Sequence, residues 1–217
     1  MNKKYERFIQ LLNFNKNKYS AEKVFKDFIS IYALGLSNGV ALNENNKKRC
    51  EEIYKEYSKE EQFYFYSLAT ELTRIFCNEN TPYDILGDIY QEITQKSYLK
   101  LVNNSNESQL REVGKKIQGV MNINKKNHQG KMVEVNCGSG AMILAYASTL
   151  KIFKFDYKND LEVTAIDTDI LNIFMTYIQL YFFQISAIVI LVDNHNNEIM
   201  RLYTPFYEYA MENLIAA

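Results

Sequence analysis

Between residues 134 and 140 the chain reads Glu-Val-Asn-Cys-Gly-Ser-Gly, and further acids stand at Asp167, Asp169 and Asp193. The chemistry open to such a set is recognition rather than bond cleavage. An ionised carboxylate only accepts hydrogen bonds, so each acid is suited to a ligand rich in hydroxyl or amino donors. Glycines at 138 and 140 let a backbone turn come close to a ligand and adopt conformations other residues avoid. A short glycine motif is weak evidence by itself. The plain alternative is a strand–turn–helix joint with small residues for packing.

The elements around these residues give the pattern its meaning. Met132 to Val135 is a short apolar strand, and Ser139 to Leu150 suits a helix. Leu161 to Ile166 reads as a second strand ending at Asp167-Thr168-Asp169. A helix over about 169–183 follows, then a third strand from Ala187 to Val192 ending at Asp193. A fourth strand is expected from Ile199 to Tyr203 and a last helix from Phe206 to Leu214. Strand, helix, strand, helix, strand at this spacing predicts a parallel βαβαβ unit. Its right-handed connections bring the strand ends to one edge, where ligands bind in such sheets. There Asp167 is placed to accept from two ribose hydroxyls, and Asp193 from an exocyclic amine. Together they describe a site for an adenosine-containing ligand. No GxGxxG or P-loop grip for a pyrophosphate is present.

The first 128 residues read as helical. Tyr5, Phe8, Ile9 and Leu12 recur at helical spacing, and Ser20 can cap a second helix carrying Val24, Phe25, Phe28, Ile29, Tyr32 and Leu36. A third helix over 44–57 is expected to bury Cys50, Ile53, Tyr54 and Tyr57. Ser58 and Glu61 have capping-box spacing and start a fourth helix running to about Cys77. A fifth carries Ile85, Leu86, Ile89, Tyr90 and Ile93. Residues 100–108 are polar and turn-rich, a candidate boundary; a helix over 109–121 and a loop over 122–130 follow. The expected organisation is a helical region, 1–128, and a partial Rossmann-like α/β domain, 129–217.

Composition excludes some classes. The 217 residues carry a net charge of −1, so nucleic-acid binding would need a local patch. Arg111, Lys115, Lys116, Lys125, Lys126 and Lys131 form such a patch against the single acid Glu112; a solvated helix face is the competing reading. The 3 cysteines, Cys50, Cys77 and Cys137, lack CxxC pairing, and His128 and His195 stand alone, which points to a reducing, cytoplasmic setting without a metal site. No charge occurs from Ile170 to Val192, a span long enough for a bilayer. Asn172, Thr176 and Gln179 run along it at helical spacing, so it reads as a helix followed by a buried strand, not as a membrane span.

The spaced motifs resemble the N6-adenine DNA methyltransferases, in particular the modification subunits of type I restriction systems and short phage or mobile-element relatives. Glu134-Val135-Asn136-Cys137-Gly138-Ser139-Gly140-Ala141-Met142 stands where that family typically has Asp-Pro-Ala-Cys-Gly-Ser-Gly. Thr164-Ala165-Ile166-Asp167-Thr168-Asp169 and Val189-Ile190-Leu191-Val192-Asp193 follow in order. Upstream, Asp84-Ile85-Leu86-Gly87-Asp88-Ile89-Tyr90 resembles the helix that precedes the methylase core. The resemblance implies a methyltransferase-type sheet with S-adenosylmethionine as cofactor. Glu134 and the turn Asn136, Cys137, Gly138, Ser139 and Gly140 would hold its amino-acid end. Asp167, with Asp169 beside it, would take the ribose, and Asp193 the adenine.

Two parts of the family pattern are missing. The Gln-Phe-Phe-Thr-Pro segment expected before the first strand is replaced by Asn106-Glu107-Ser108-Gln109-Leu110-Arg111. The Asn/Asp-Pro-Pro-Tyr/Phe loop that grips the target adenine cannot form, because the only prolines are Pro82 and Pro205. An enzyme acting on a base must take it out of the stack and hold it. Tyr203, Pro205 and Phe206, after the fourth strand, are the weak substitutes, and they also suit a core plug. The sheet is short as well, so a second copy or a protein partner is expected to cover its edge. Three functions follow: a degenerate methyltransferase kept as a cofactor- or macromolecule-binding module, in the role of a phage or mobile-element interference protein; an active adenine methyltransferase needing a partner subunit; and a plain interaction module.

Overall fold

The structure, a computed structural model, describes residues 4–94 and 130–207. It divides into two compact units. The described part of the first is 4–80 with 86–94, and of the second 81–85 with 130–207.

The first unit is helical: α1 (Glu6–Leu12), α2 (Ala21–Val40), α3 (Glu44–Tyr54), α4 (Lys59–Cys77) and, from Leu86 on, α5 (Ile85–Thr94). Its helices start where short polar side chains can accept from exposed backbone N–H groups. Ser20 accepts from Lys23 N–H and Asn43 from Asn45 and Asn46 N–H. Ser58 and Glu61 form a reciprocal capping box, as their spacing requires. Tyr5, Phe8, Leu12, Val24, Phe25, Phe28 and Ile29 are buried, as their helical spacing predicts. The third helix departs from expectation. It stops at Tyr54, Cys50, Ile53 and Tyr54 are half-buried, and Tyr57 is buried from the loop beyond it. Tyr57 sits in an aromatic cluster with Tyr19, Phe65 and Phe14, and its hydroxyl donates to Asp27 Oδ2 at 2.6 Å.

The second unit is an α/β sheet: β1 (Gly130–Val135), α6 (Ala141–Ile152), the short α7 (Tyr157–Asp160), β2 (Leu161–Asp167), α8 (Ile170–Phe182), β3 (Ser186–Val192) and β4 (Glu198–Tyr203). The uncharged stretch 170–192 therefore divides into helix and strand. Among the described residues no helix is long and apolar enough to cross a membrane. The strand order is β1-β2-β3-β4, with β1, β2 and β3 parallel and β4 antiparallel to β3. Right-handed crossovers put α6 and α8 on one face. The burial of β2 alternates accordingly: Val163 and Ala165 are buried while Thr164 and Ile166 are half-buried. Paired residues of neighbouring strands share a face, so Glu134, Ala165 and Val189 belong to the helix-covered side. Val133 and Val135 belong to the other side, where they are 65% and 62% exposed. Among the described residues no strand pairs with the outer edge of β1.

The fourth strand forms where expected, and its direction decides where the residues after it lie. Residues 193–197 make a tight hairpin, and β4 runs back along β3. A fourth strand reached by a crossover helix would instead point the same way as the first three, with its end at the shared ligand edge. The expected helix over 109–121 and the loops on either side of it, with Arg111, Lys115, Lys116, Lys125 and Lys126, lie outside the described residues but for Gly130, as does most of the last helix. Lys131 is described, and pairs with Glu162 on β2 at 3.4 Å.

Candidate functional site

The turn after β1 is built from left-handed backbone. Asn136, Gly138 and Gly140 have φ of 58°, 56° and 92°. Asparagine tolerates this region and glycine adopts it freely. The two glycines face different surroundings. A Cβ on Gly140 would lie 3.2 Å from Thr176 Oγ1, so the turn can approach α8 only with no side chain there. A Cβ on Gly138 would meet nothing within 4 Å, so this residue fronts open space.

Five residues outside the turn hold it. Cys137 N–H donates to Ile166 O at 3.0 Å and Gly138 N–H to Asp167 Oδ2 at 2.8 Å, tying it to β2. Thr176 on α8 donates to Gly138 O at 2.8 Å, and Gln179 Nε2 donates to Ser139 O at 2.7 Å. Ser139 Oγ donates to Asp84 Oδ2 at 2.5 Å, and Gln179 Nε2 reaches Asp84 Oδ1 at 2.8 Å. Thr176 and Gln179 are fully buried polar side chains that bond to the turn and its clasp. Polar groups in such a place need partners, and these ones fix a loop. No side chain caps α6, which starts directly from Gly140, so its first N–H groups are not taken by a capping residue.

Asp167 ends β2 and is 6% exposed. Its Oδ1 accepts from Asp169 N–H at 2.9 Å; its Oδ2 accepts from Gly138 N–H and, at 3.3 Å, from Asn172 Nδ2. Asp169 itself caps α8 by accepting from Leu171 N–H at 2.8 Å. Glu134 lies on the helix-covered face of β1, half-buried, and no side-chain bond or ion pair engages it among the described residues. Burial pushes its carboxyl above the ordinary value. Cys137 is 6% exposed, and burial pushes its thiol up to about 12. That thiol is therefore neutral and packed against Thr176, not a nucleophile.

The structure thus brings together Glu134, the turn 136–140, Asp167 and Asp169. Asp193 lies at the same edge of the sheet, two residues beyond Leu191, the register partner of Asp167. Its carboxylate serves its own hairpin: Oδ1 accepts from His195 and Asn197 N–H, each at 2.8 Å, and Oδ2 from Asn197 Nδ2 at 2.9 Å. Those bonds hold the Asp193 carboxyl below its ordinary value.

Tyr203, Pro205 and Phe206 are not brought to this edge. Tyr203 pairs with Ile188 and Thr204 N–H donates to Ala187 O, so the segment lies at the start of β3. Six residues of strand separate Ala187 from Asp193, roughly 20 Å. Local anchoring accounts for the segment. The fully buried Thr204 donates to Ile185 O at 2.8 Å and accepts from Ala187 N–H at 2.9 Å, and Tyr177 donates to Tyr203 O at 3.2 Å. The reversed direction of β4 is what moved these residues.

The acid and glycine motifs do not include Asp84, Asn172, Thr176 or Gln179. Asn172, Thr176 and Gln179 stand out in the sequence only as polar positions on an apolar helix. Asp84 stands in the motif 84–90, but nothing local ties it to the turn, since Ser139 and Gln179 lie 55 and 95 residues away.

No protein-family model matches the sequence, and no curated protein matches it. Among solved structures, a Listeria monocytogenes protein assigned to the class I S-adenosylmethionine-dependent methyltransferases is similar at a TM-score of 0.39 and 13% identity, over 98% of this chain and 70% of that one. A likeness that loose carries nothing about ligand or activity.

Proposed function

We propose that the second unit is an S-adenosylmethionine-binding module of DNA adenine methyltransferase ancestry that has lost its base-modifying function. The carrying observation is the turn 136–140, held rigidly on its inner side by Asp84, Asp167, Thr176 and Gln179, with open space in front of Gly138. The donor set suits the cofactor. Glu134, half-buried without a cation, matches an ammonium group. Asp167 keeps a lone pair on Oδ1, since a carboxylate has about four acceptor sites and three are used. Asp193 is the candidate for the adenine amine, once its hairpin bonds allow. The cofactor, when bound, supplies an activated methyl group. The residues named here bind and orient it.

Loss of base chemistry is inferred from the absent Pro-Pro loop and from the position of Tyr203 to Phe206 at the far end of β3. A retained role as a cofactor- or macromolecule-binding module, including host interference by a phage or mobile element, fits such a remnant in the cytoplasm. A second reading is favoured by the outer edge of β1, which no described strand pairs with, and by exposed Val133 and Val135. In it a protein partner or second copy completes the sheet and restores methylation, with DNA held by the basic residues Arg111 to Lys131.

Calorimetric titration with S-adenosylmethionine tests the first claim. Saturable binding that is lost in Asp167→Ala supports it; no binding at millimolar ligand leaves the plain interaction module. A radiolabelled methyl-transfer assay on mixed-sequence DNA tests the second claim. Incorporation by the purified chain, or by the chain with a co-purified partner, overturns the degenerate reading.

A further inference from the structure

The helix α4 carries apolar groups on two opposite faces. Phe65, Leu68, Leu72, Ile75 and Phe76 are buried on its inner face. On its outer face Lys59, Phe63, Tyr66, Thr70, Arg74 and Cys77 are exposed. Steps of three and four residues make these six one stripe along the helix. Phe63 and Tyr66 are 69% and 66% exposed, and their rings lie 6.2 Å apart. Tyr64 next to them is already engaged, stacked on Phe14 at 4.5 Å. The outward face of a surface helix is normally polar, and a lone exposed ring needs no explanation. Two adjoining rings in the middle of an outward stripe are a contact surface, since aromatic side chains carry much of the energy of protein association.

We propose that this stripe pairs with α4 of a second copy of the chain, the two helices antiparallel about a twofold axis. The pairing concerns the first unit and is independent of the cofactor reading and of any copy at the β1 edge. Charge selects the occupant. A chain of net charge −1 neither repels its own copy nor attracts a polyanion such as nucleic acid. Charge also selects the direction. The first turn holds Glu60 and Glu61 against Lys59, and the last turn holds Arg74. Antiparallel helices set the acidic end of one copy beside the basic end of the other and oppose their macrodipoles; parallel helices match like ends. Full overlap places Phe63 and Tyr66 of each copy across the middle of the stripe, where the small side chain of Thr70 leaves room for a ring. A twofold contact of this kind uses the same patch on both copies, as closed dimers do.

Sedimentation equilibrium of the full chain, over a range of concentrations, tests the pairing. Wild type is expected to be a reversible dimer. Phe63→Glu combined with Tyr66→Glu should weaken association about hundredfold, roughly tenfold for each ring. Its melting temperature should change little, because both side chains are mostly exposed; Phe63→Gln with Tyr66→Gln serves if the glutamates disturb α4. Val133→Glu, on the exposed face of β1, should leave association unchanged. A short bifunctional maleimide tests the direction. Full overlap sets position 59 of one copy beside the partner's Cys77, so Lys59→Cys should give a covalent dimer linked between positions 59 and 77. Wild type should give no link between its two Cys77 residues, which stand at opposite ends of the pair, about 27 Å apart for eighteen residues of helix. A wild-type chain that stays monomeric, a dimer that survives loss of both rings, or a Cys77 to Cys77 link overturns the proposal. So does a monomer whose two rings instead bind single-stranded DNA.

Discussion

Ser139 Oγ donates a 2.5 Å hydrogen bond to the Asp84 carboxylate, joining the middle of the glycine turn to a residue 55 positions earlier. Gln179 bridges the same two residues, reaching Asp84 Oδ1 with one end of its amide and Ser139 O as well. The turn is therefore set from three distant stretches of sequence. Its shape does not depend on β1 and α6 alone.

Asp84→Ala should destabilise the fold by about 1–3 kcal/mol, the cost of leaving buried partners unmet. Asp84→Ala and Ser139→Ala should be non-additive by ~0.5–3 kcal/mol, because each removes the same bond. Urea unfolding of the two single variants and the double variant measures this. Additive losses would show that the clasp carries no shared energy.

Gly138 and Gly140 should respond unequally to alanine. Both have positive φ, which costs a non-glycine residue about 1–2 kcal/mol. Only at Gly140 does the new Cβ also press on Thr176, at 3.2 Å. Gly140→Ala should therefore lower the melting temperature more than Gly138→Ala. The ligand should reverse that order in affinity, since Gly138 fronts the open side. Equal melting temperatures would contradict the packing described for the turn.

Glu134 gives the apo protein a pH dependence of definite sign. Its folded carboxyl is raised above the unfolded value by burial, so the folded state binds more protons between the two. Stability then falls as pH rises through that window and stays lower above it. Glu134→Gln should melt higher than wild type near neutrality and converge with it in acid, in scans from about pH 4 to pH 8. A bound ammonium group should cancel the difference. A glutamine variant that melts lower at neutrality would mean that Glu134 has a stabilising partner.

The three cysteines should react with a thiol reagent in order of exposure. Cys77 is exposed, Cys50 half-buried and Cys137 buried. Burial raises the thiols of Cys50 and Cys137, the latter to about 12. Time-resolved labelling followed by peptide mapping should find Cys77 first and Cys137 only on unfolding. Early labelling of Cys137 would indicate that the turn opens on its own.

Helices and parallel strands were legible because they obey local rules. Ser20 and Ser58 announce helix starts by their side chains, and the apolar runs at 132–135, 161–166 and 187–192 fall within β1, β2 and β3. The direction of β4 was legible in the connection: the few residues between the expected strands 187–192 and 199–203 are too short for the crossover a parallel strand needs. Here Asp193 accepts from two N–H groups within its own loop and closes a tight hairpin. The same acid looks identical in sequence whether it waits for a ligand or folds its own turn. Asp167 poses the same ambiguity, since it reads as a ribose acceptor yet also ties Gly138 in place. Asp84 was invisible as a site residue, because nothing in a sequence links it to residues 139 and 179.

The strand order has a kinetic meaning. Every described strand of the sheet lies beside its nearest neighbour in sequence, β1-β2-β3-β4. A doubly wound sheet must leave a place beside its first strand for a later one, so its centre closes last. This sheet can grow outward from any adjacent pair, the parallel steps closing helical crossovers and the last step only a short hairpin. Loop-closure entropy rises with loop length, and local pairings form faster than distant ones. The pairing of β3 with β4, across a five-residue loop from Asp193 to Asn197, is the shortest of these closures and the natural place for assembly to begin.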